Sequence, residues 1–382
     1  MKKYYLLLLF AVLPFICNAQ GTFNATITHD GLERSYIIYV PASYDPTIPS
    51  ALVLCFHGYS SSANTIWFYS GFNKIADTAN FLVAYPQGTL LEGVTHWNVG
   101  GWTNNSTTDD IGFTNALLDS ISADYSIDST RVFATGMSNG GFMSFLLACQ
   151  LSERIAAVAS VTGSMTTETY NACDPQHPTP VLQIHGTSDG TVPYLGASWT
   201  KSISEVMDYW VDFNNTNTVA TRASIEDINK GDGSTAEKIR YAAGDSCSSV
   251  THYKITDGDH DWPGAWGNLD INASALIWDF FSQHDINGKI ACAEEGSDQV
   301  LSNTTEEVLN TLNIYPNPSS NFITIEGEQL SSRKYEVRSV DGKVVLKGFL
   351  KATDNRIDIT TLEQGIYIVK MGKQSVKIIK ED

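Results

Sequence analysis

The sequence predicts an α/β fold, in which a mostly parallel sheet has helices on both faces, followed by a small all-β sandwich. Three observations support this fold class. Continuous apolar runs such as "ALVLCFHG", "FLVAYPQG" and "RVFATG" alternate with helix-like stretches, as in parallel sheets that are buried on both faces. Polar residues follow directly after several of these runs. Beyond residue 281 the pattern changes to short alternating segments, and all eight tryptophans precede that change.

The predicted elements follow one another in a regular order. A β-hairpin comes first, because "NATITHD" and "RSYIIYVP" alternate and meet at Asp30-Gly31. The three runs above and the later runs "IAAVASVTG", "PVLQIHG" and "THYKITDGDH" are predicted strands. In such a sheet, ligands bind in the crevice at the carboxyl ends of the strands. Near the C-terminus, Asp341-Gly342 and Gly372-Lys373 are turn signals between short strands.

We predict four segments: a signal peptide 1–19, an α/β domain 20–287, a polar linker 288–311 and a β-sandwich 312–382. Of the net charge of −18, residues 20–312 carry −22 and residues 313–382 carry +2. A body with a charge of −22 should repel nucleic acid and anionic lipid, and it suits a neutral or cationic substrate better. The alternative is that the charge only keeps an exported protein soluble.

The N-terminus has the pattern of a secretory signal. Lys2 and Lys3 precede an apolar stretch over residues 6–16, and Cys17-Asn18-Ala19 offers small residues for cleavage before Gln20. A lipid anchor on Cys17 is the alternative interpretation. No later apolar run reaches the ~18–20 residues that a membrane helix needs, so we predict an exported mature chain without a transmembrane segment.

A single serine stands between a predicted strand and a helix in "RVFATGMSNGGFM". Gly136-Met137-Ser138-Asn139-Gly140 is a G-x-S-x-G pentapeptide, and this strand–turn–helix context is that of a nucleophile elbow. The turn is so tight that side chains at 136 and 140 would collide, and the serine projects from the sheet in a strained conformation. Ser138 is therefore the predicted nucleophile.

A serine nucleophile needs a base and an orienting carboxylate, in the chain order serine, acid, histidine for this architecture. Asp189 follows the strand in "PVLQIHGTSDG", and His260 follows the last strand in "THYKITDGDH". His57 and His185 also precede glycines at strand ends, and we expect them to brace loops. The backbone N–H groups of Asn139 and Tyr59 are the predicted oxyanion donors.

These residues resemble the α/β-hydrolase fold, and within it secreted polyhydroxybutyrate depolymerases and feruloyl or acetylxylan esterases. The resemblance covers residues 23–284, through "FHGYSSSA", "DDIGF", "RVFATGMSNGGFM", "HGTSDGTVPY" and "GDHDWPG". It implies a carboxylic-ester hydrolase that uses Ser138, Asp189 and His260 with no metal or organic cofactor. One departure is that many relatives have "GGH" where this chain has Gly258-Asp259-His260.

The C-terminal segment resembles the sorting domain of type IX secretion, through "IYPNPSSNFITI", "VRSVDGKVV" and "LEQGIYIVK". This resemblance implies that the secretion machinery is a partner and that the protein crosses an outer membrane, to be released or attached to the cell surface. The alternative is a polymer-binding module. It is weaker because the segment has no tryptophan, and Tyr315 and Phe322 lie in strand-like runs where we expect core residues.

Two disulfides follow from the predicted topology. The helix after Ser138 runs away from the crevice, which brings Cys149 to the end of the sheet where Cys173 also lies. Cys247 precedes the last strand of the sheet and Cys292 follows the last helix, again at that end. We therefore predict Cys149–Cys173 and Cys247–Cys292, with Cys55 free in a buried strand.

The function predicted from these residues is that of a secreted serine esterase. Feruloyl or acetyl esters of plant polysaccharide are the favoured substrates, because no separate polymer-binding domain is evident, and polyhydroxybutyrate is the alternative. A serine peptidase and a non-catalytic cell-surface binding protein are the candidates from other classes. Trp97, Trp102 and Trp262 lie in predicted loops and are candidate substrate contacts, since an exposed aromatic ring stacks on a sugar or phenolic ring.

Overall fold

The computed structural model describes residues 20–290, 292, 313–326, 334–339, 343–350, 355–371 and 374–381. These residues form two compact units, divided between Cys292 and the residue after it. The predicted signal peptide and residues 293–311 of the predicted linker lie outside the described residues. Residues 288–290 and Cys292 belong to the first unit, so the linker prediction begins too early. The cause is a short strand at Gly288–Lys289 and a disulfide at Cys292 that hold this stretch in place.

The strands of the first unit are β1 (Gly21–His29), β2 (Leu32–Val40), β3 (Ser50–Phe56), β4 (Phe81–Pro86), β5 (Thr89–Leu91), β6 (Val94–His96), β7 (Ile127–Met137), β8 (Ala157–Val161), β9 (Val181–Gly186), β10 (Thr221–Ser224), β11 (Thr235–Tyr241), β12 (Val250–Thr256), β13 (His284–Asp285) and β14 (Gly288–Lys289). Its α-helices are α1 (Ala63–Ser70), α2 (Phe72–Ala79), α3 (Asp110–Asp124), α4 (Asn139–Gln150), α5 (Thr167–Asn171), α6 (Ile203–Phe213) and α7 (Ala273–Phe281). Short 3₁₀ turns span Gly101–Thr103, Ser152–Arg154 and Asp245–Cys247.

One sheet dominates the first unit. Among the described residues its strands lie in the order β1-β2-β4-β3-β7-β8-β9-β12-β11-β10. The central strands from β4 to β12 are parallel, and antiparallel strands flank them on both sides. The predicted hairpin forms β1 and β2, with Asp30 (φ 49°) and Gly31 (φ 74°) in the left-handed conformations that a tight hairpin turn requires.

The sheet is buried on both faces, as its continuous apolar strands predict. In β3, Leu52, Leu54 and Phe56 belong to one core cluster, whereas the alternate residues Val53 and Cys55 belong to the other. Side chains on a strand alternate between faces, so helices must cover both sides of the sheet. The loops that follow neighbouring parallel strands meet at the carboxyl edge of the sheet.

Side-chain caps fix where several helices begin. Ser62 Oγ accepts from Thr65 N–H before α1, and Asp109 does the same from Gly112 N–H before α3. Ser202 and Glu205 form a reciprocal capping box at α6. Hydrogen bonds from Ser202 lower the pKa of Glu205 to about 2, so this cap stays ionised. Within the described residues, no helix is long and apolar enough to cross a bilayer.

The second unit is a small β-sandwich with its own core. Its strands are β15 (Asn313–Tyr315), β16 (Phe322–Glu326), β17 (Lys334–Ser339), β18 (Val344–Phe349), β19 (Arg356–Asp358), β20 (Gly365–Met371) and β21 (Gln374–Lys380). They form a three-stranded sheet, β15-β16-β19, and a four-stranded sheet, β18-β17-β20-β21, with Ile323, Val337 and Ile378 buried in a shared core. The predicted turns Asp341-Gly342 and Gly372-Lys373 lie outside the described residues. The prediction that Tyr315 and Phe322 are core residues is wrong, since they are 46% and 44% exposed on the outer face of their strands.

Both predicted disulfides are present. Cys149 is bonded to Cys173 and Cys247 to Cys292, and Cys55 is a buried free thiol. Burial raises the pKa of the Cys55 thiol well above its usual range, so it is an inert core residue.

Candidate active site

The three predicted catalytic residues follow three strands of the same sheet at the same edge. Ser138 comes directly after β7, Asp189 follows β9, and His260 follows β12. These strands are parallel, and β8 lies between β7 and β9. The carboxyl ends of parallel strands meet at one edge, and so the topology gathers the three loops there.

Ser138 occupies a strained turn between β7 and α4. Its backbone has φ 55° and ψ −121°, a conformation that costs a non-glycine residue about 1–3 kcal/mol. A Cβ on Gly136 would lie 2.5 Å from Phe56 O, and one on Gly140 would lie 2.0 Å from that same oxygen. Only glycine fits at both positions, because the turn packs against β3 backbone. Ser138 N–H donates to Val161 O (2.9 Å), which anchors the turn to β8.

Asp189 and His260 are hydrogen-bonded across 71 residues of sequence. His260 Nδ1 lies 2.8 Å from Asp189 Oδ2, while Asp189 Oδ1 accepts from the N–H groups of Thr191 and Val192, both at 2.8 Å. Burial favours a higher pKa for Asp189, but hydrogen bonds from His185 and His260 outweigh it and hold the pKa well below its usual range. An ionised Asp189 accepts a hydrogen bond from Nδ1–H, which leaves His260 Nε2 as the acceptor nitrogen.

The remaining ring nitrogen and the serine hydroxyl are both unoccupied. Throughout the part of the chain that the structure describes, His260 Nε2 and Ser138 Oγ have no hydrogen-bond partner. Ser138 is half-buried and the His260 side chain is 20% exposed, so an incoming molecule can reach both. In free enzymes the bond between nucleophile and base is often long and tightens when substrate binds.

Asp259 joins the loop that carries His260 to the loop that carries Asp189. Its Oδ1 accepts from His260 N–H at 2.8 Å and from Gly190 N–H at 3.3 Å. Gly190 is the residue after Asp189, so one carboxylate contacts the backbone beside both members of the pair. This is the position at which the sequence departs from the "GGH" of many relatives, and the substituted side chain links the two loops.

Two backbone N–H groups beside Ser138 are free to bind an anion. A Cβ on Gly58 would lie 3.5 Å from Ser138 Cβ, so the loop after β3 runs against the nucleophile, and Tyr59 is its next residue. Neither Tyr59 N–H nor Asn139 N–H finds an acceptor among the described residues. Asn139 also begins α4, whose first N–H groups and dipole favour negative charge.

His57 fixes the direction of the Tyr59 N–H. Its Nδ1 lies 2.7 Å from Gly58 O, and its Nε2 accepts from Gly88 N–H at 2.9 Å, so the proton is on Nδ1. In a trans peptide the C=O and the N–H point in opposite directions, so holding Gly58 O aims Tyr59 N–H the other way. Burial lowers the pKa of His57 to about 4, which keeps it neutral and in this role. His57 therefore braces a loop, as expected.

Asn139 and Trp97 extend this support into the core. The Asn139 side chain accepts from Trp97 N–H (2.7 Å) and donates to Trp97 O (3.1 Å), and Trp97 Nε1 donates to His57 O (2.9 Å). The loop residue after Trp97 is held in turn, because Asn98 N–H donates to Asp110 Oδ2 at 2.7 Å.

The "DDIGF" motif supplies the anchor of that loop. Asp110 Oδ1 accepts from Arg34 at 2.7 Å, and both side chains are almost fully buried. The Arg34 guanidinium also lies 3.8 Å from the ring centre of Phe113. Breaking a buried ion pair by removing one partner is strongly destabilising. The motif thus holds β2, α3 and the Trp97 loop together.

Two of the three predicted aromatic contacts are wrong. Trp97 is 0% exposed and Trp262 is 1% exposed, so neither can touch a substrate. Both indole N–H groups are satisfied inside the protein, that of Trp97 by His57 O and that of Trp262 by Ser274 Oγ (3.1 Å). Loop position alone predicted exposure, but a tryptophan whose N–H finds an internal acceptor can be buried.

Trp102 remains a candidate contact, together with a residue that the sequence analysis missed. Trp102 is half-buried and packs edge-to-face on Phe142 (5.0 Å) and on Trp199 (4.9 Å). Phe142 is four residues after Ser138 on α4, which places this aromatic group next to the nucleophile turn. Trp199 could have been found from the sequence, because it lies in "YLGASWTK", in the same loop after β9 that carries Asp189.

One cluster has the composition of a cation site. His29, Asp30 and Asp109 have ligand atoms within 4.8 Å of one another. Asp109 is already engaged, as it accepts from Gly112 N–H and lies 3.0 Å from His29 Nε2. Asp109 is the N-cap of α3, so these hydrogen bonds explain why the three side chains lie together.

Comparison with known proteins finds one family model that matches within each unit. Residues 34–190 match the family model described as esterase PHB depolymerase, and residues 313–381 match the one described as secretion system C-terminal sorting domain. The first of these matches lies entirely within the first unit, which is therefore similar to esterases of this family over more than half of its length. The second match spans nearly all of the described second unit, and it indicates export by type IX secretion to the cell surface or beyond.

Curated relatives are similar over most of the first unit. A bifunctional acetylxylan esterase/xylanase of Neocallimastix patriciarum is 25% identical over 72% of this chain and 37% of its own length. Feruloyl esterase D of Neurospora crassa is 25% identical over 73% of this chain and 96% of its own length. The chain thus spans little more than a third of the first relative and almost all of the second.

A solved structure shows the same fold. An acetyl xylan esterase from Aspergillus awamori superposes with a TM-score of 0.51 at 15% identity, covering 68% of this chain and 99% of that protein. At this identity the likeness establishes the α/β-hydrolase fold, as predicted, and nothing finer.

Proposed function

We propose that the protein is an exported serine carboxylic-ester hydrolase with Ser138 as nucleophile, His260 as base and Asp189 as orienting acid. The observation that carries the proposal is the 2.8 Å bond between His260 Nδ1 and the ionised Asp189, at the sheet edge where the strained Ser138 turn also ends. The family of the esterase domain supports the reaction class.

The mechanism is acyl transfer in two halves. Ser138 Oγ attacks the ester carbonyl carbon as its proton passes to His260 Nε2. The oxyanion that forms takes hydrogen bonds from Tyr59 N–H and Asn139 N–H. When the carbon–oxygen bond to the alcohol breaks, His260 returns the proton to the leaving oxygen. Water then attacks the acyl-enzyme with His260 as base, which releases the acid and restores Ser138.

Feruloyl or acetyl esters of plant polysaccharide are the proposed substrates. The curated relatives are named for feruloyl and acetylxylan ester hydrolysis, and the half-buried rings of Trp102 and Trp199 offer faces for a phenolic or sugar ring. The segment between β8 and β9, residues 162–180, is too short for a large lid. A polysaccharide without acidic groups also avoids repulsion from residues 20–312, which carry a net charge of −22. Polyhydroxybutyrate is the alternative, after the name of the family.

Ser138→Ala tests the assignment. We expect kcat on p-nitrophenyl acetate to fall about 10⁴- to 10⁶-fold, with the melting temperature retained or raised. A fluorophosphonate probe should label the unaltered protein and not the variant. Ser144→Ala is the matched control, because Ser144 lies on the same helix and bonds only Gly140 O. Near-normal turnover by Ser138→Ala would refute the assignment.

A substrate panel separates the remaining candidates. Methyl ferulate, acetylated xylan and polyhydroxybutyrate are compared at equal enzyme concentration, and we expect the first two to be hydrolysed faster. Hydrolysis of a peptide but not of p-nitrophenyl acetate would identify a serine peptidase instead. Absence of fluorophosphonate labelling would indicate a non-catalytic surface protein.

A further inference from the structure

A second histidine contacts the proposed catalytic acid. His185 lies on β9, four residues before Asp189, and its side chain is 0% exposed. Its Nε2 is 2.9 Å from Val192 O and 3.3 Å from Asp189 Oδ2. The mechanism above does not use this side chain.

The neighbours of His185 determine which nitrogen carries the proton. Gln183 has one side-chain atom 2.8 Å from Gly163 O and 2.9 Å from His185 Nδ1. A carbonyl oxygen only accepts, so that atom must be the amide nitrogen, which only donates. His185 Nδ1 is therefore an acceptor, and the proton of the neutral ring lies on Nε2, between Val192 O and Asp189 Oδ2.

Asp189 Oδ2 consequently faces N–H groups from two imidazoles. His260 Nδ1 approaches at 2.8 Å and His185 Nε2 at 3.3 Å. The other oxygen is fixed by two backbone N–H groups, so the carboxylate has a donor against each side. If the His185 ring turned away, Val192 O would lose its bond to His185 and the Gln183 amide would keep only its bond to Gly163 O, and an unpaired polar group in the core is unfavourable.

We propose that His185 is a positioning residue for catalysis, which holds the Asp189 carboxylate in the orientation that fixes His260 Nδ1–H. The proposal rests on the proposed function, since it assigns Asp189 and His260 their roles. The competing explanation is purely structural, namely that His185 only braces the loop through Val192 O, which is its nearer acceptor.

Two substitutions of His185 and one matched control distinguish these explanations. His185→Phe keeps the ring but removes both nitrogens, whereas His185→Gln places an amide N–H near the position of Nε2. His252→Phe is the control, because His252 is also buried, on the adjacent strand β12, and bonds Tyr194 and Gln183 O without touching Asp189. Thermal melts of all three verify folding.

We expect His185→Phe to lower kcat on p-nitrophenyl acetate at least tenfold with KM within twofold of the unaltered protein. His185→Gln should recover most of that loss, and His252→Phe should keep kcat within twofold. Equal losses in His185→Phe and His252→Phe, or full activity in His185→Phe, would overturn the proposal.

Histidine-ring ¹H–¹⁵N spectra provide a readout that does not depend on turnover. The unaltered protein should show His185 with its proton on Nε2, and the downfield Nδ1–H signal of His260 should move in His185→Phe but not in His252→Phe. A proton on Nδ1 of His185, or an unmoved His260 signal, contradicts the proposal even if a variant folds poorly. If the unaltered protein hydrolyses no ester, the proposed function fails while these spectra still test the contact between His185 and Asp189.

Discussion

The side chain of Asn139 and the backbone of Trp97 are joined by two hydrogen bonds, one donated in each direction. Asn139 is the residue after Ser138, and Trp97 is buried. The indole of that tryptophan in turn donates to His57 O, two residues before Tyr59. The two proposed oxyanion donors, on separate loops, are therefore connected through one buried ring. A donor contributes to catalysis only when it is aimed at the place where charge develops, so this connection bears on rate.

Trp97→Phe should slow the reaction without weakening substrate binding. Phenylalanine keeps an aromatic ring at this position but has no indole N–H, so the bond to His57 O is lost and the loop of Tyr59 is free to shift. We expect kcat to fall about 10- to 100-fold with KM little changed. Steady-state rates with p-nitrophenyl acetate measure this. Trp210→Phe is the control, since Trp210 is fully buried and its indole N–H has no partner in the described part of the chain. Equal effects of the two substitutions would contradict the role of the Trp97 bond.

Asp259→Gly should reduce activity although it introduces the residue found in many relatives. The substitution removes the carboxylate that joins His260 N–H to Gly190 N–H, each bond contributing about 0.5–1.5 kcal/mol. We expect kcat/KM for p-nitrophenyl acetate to fall about three- to tenfold. Asp257→Gly is the comparison, because Asp257 adopts φ 61°, which glycine tolerates. If Asp259→Gly matches the unaltered enzyme, the two loops are held together without this side chain.

The stability of the first unit should fall as the pH drops from about 6.5 towards 4. Burial lowers the pKa of His57 to about 4, of His252 to about 3 and of His284 to about 4, against an ordinary value of 6.5. In that pH window the unfolded chain binds protons that the folded chain does not, so the free energy of unfolding decreases with falling pH. Each such proton lowers the free energy of unfolding by about 1.4 kcal/mol per pH unit, and three protons together lower it by up to about 4 kcal/mol per pH unit.

Urea unfolding at half-unit pH intervals measures how the free energy of unfolding changes with pH. The His284→Asn variant tests the contribution of one of the three histidines to that change. Asparagine can keep the donor to Phe280 O that His284 Nδ1 supplies but cannot be protonated. The variant should lose stability more slowly with falling pH, by about one proton's share. A slope that does not change in the variant would mean that His284 is not neutral in the folded protein.

The strands of the sheet and the turn at Ser138 were predictable because their signals are local. A buried parallel strand is a continuous apolar run, and a nucleophile elbow has glycines at fixed spacings. The edge strand β10 and its neighbour β11 were not predicted, and in β10 the cause is that Thr221–Ser224 is exposed and has no apolar pattern. The linker prediction began too early because a polar composition does not reveal a disulfide at Cys292.

The support around the catalytic residues was not predictable in the same way. The bond from Asp259 to Gly190 spans 69 residues and that from Trp97 to His57 spans 40, and no local pattern encodes either. The same limit explains the errors at Trp97 and Trp262. A sequence shows that an aromatic residue lies in a loop, but the direction of its ring depends on acceptors supplied by distant segments.

Both disulfides lie at the end of the sheet opposite the reactive edge. Cys149 is near the end of α4, whose first residue follows Ser138, and Cys247 comes just before β12, whose other end leads to His260. Such bonds form in oxidising compartments, so a chain destined for export acquires them only after leaving the cytosol. The enzyme therefore gains its covalent reinforcement, about 3–4 kcal/mol per bond, late in its maturation. Because the crosslinks are remote from Asp189 and His260, this last step strengthens the scaffold without rearranging the proposed catalytic groups.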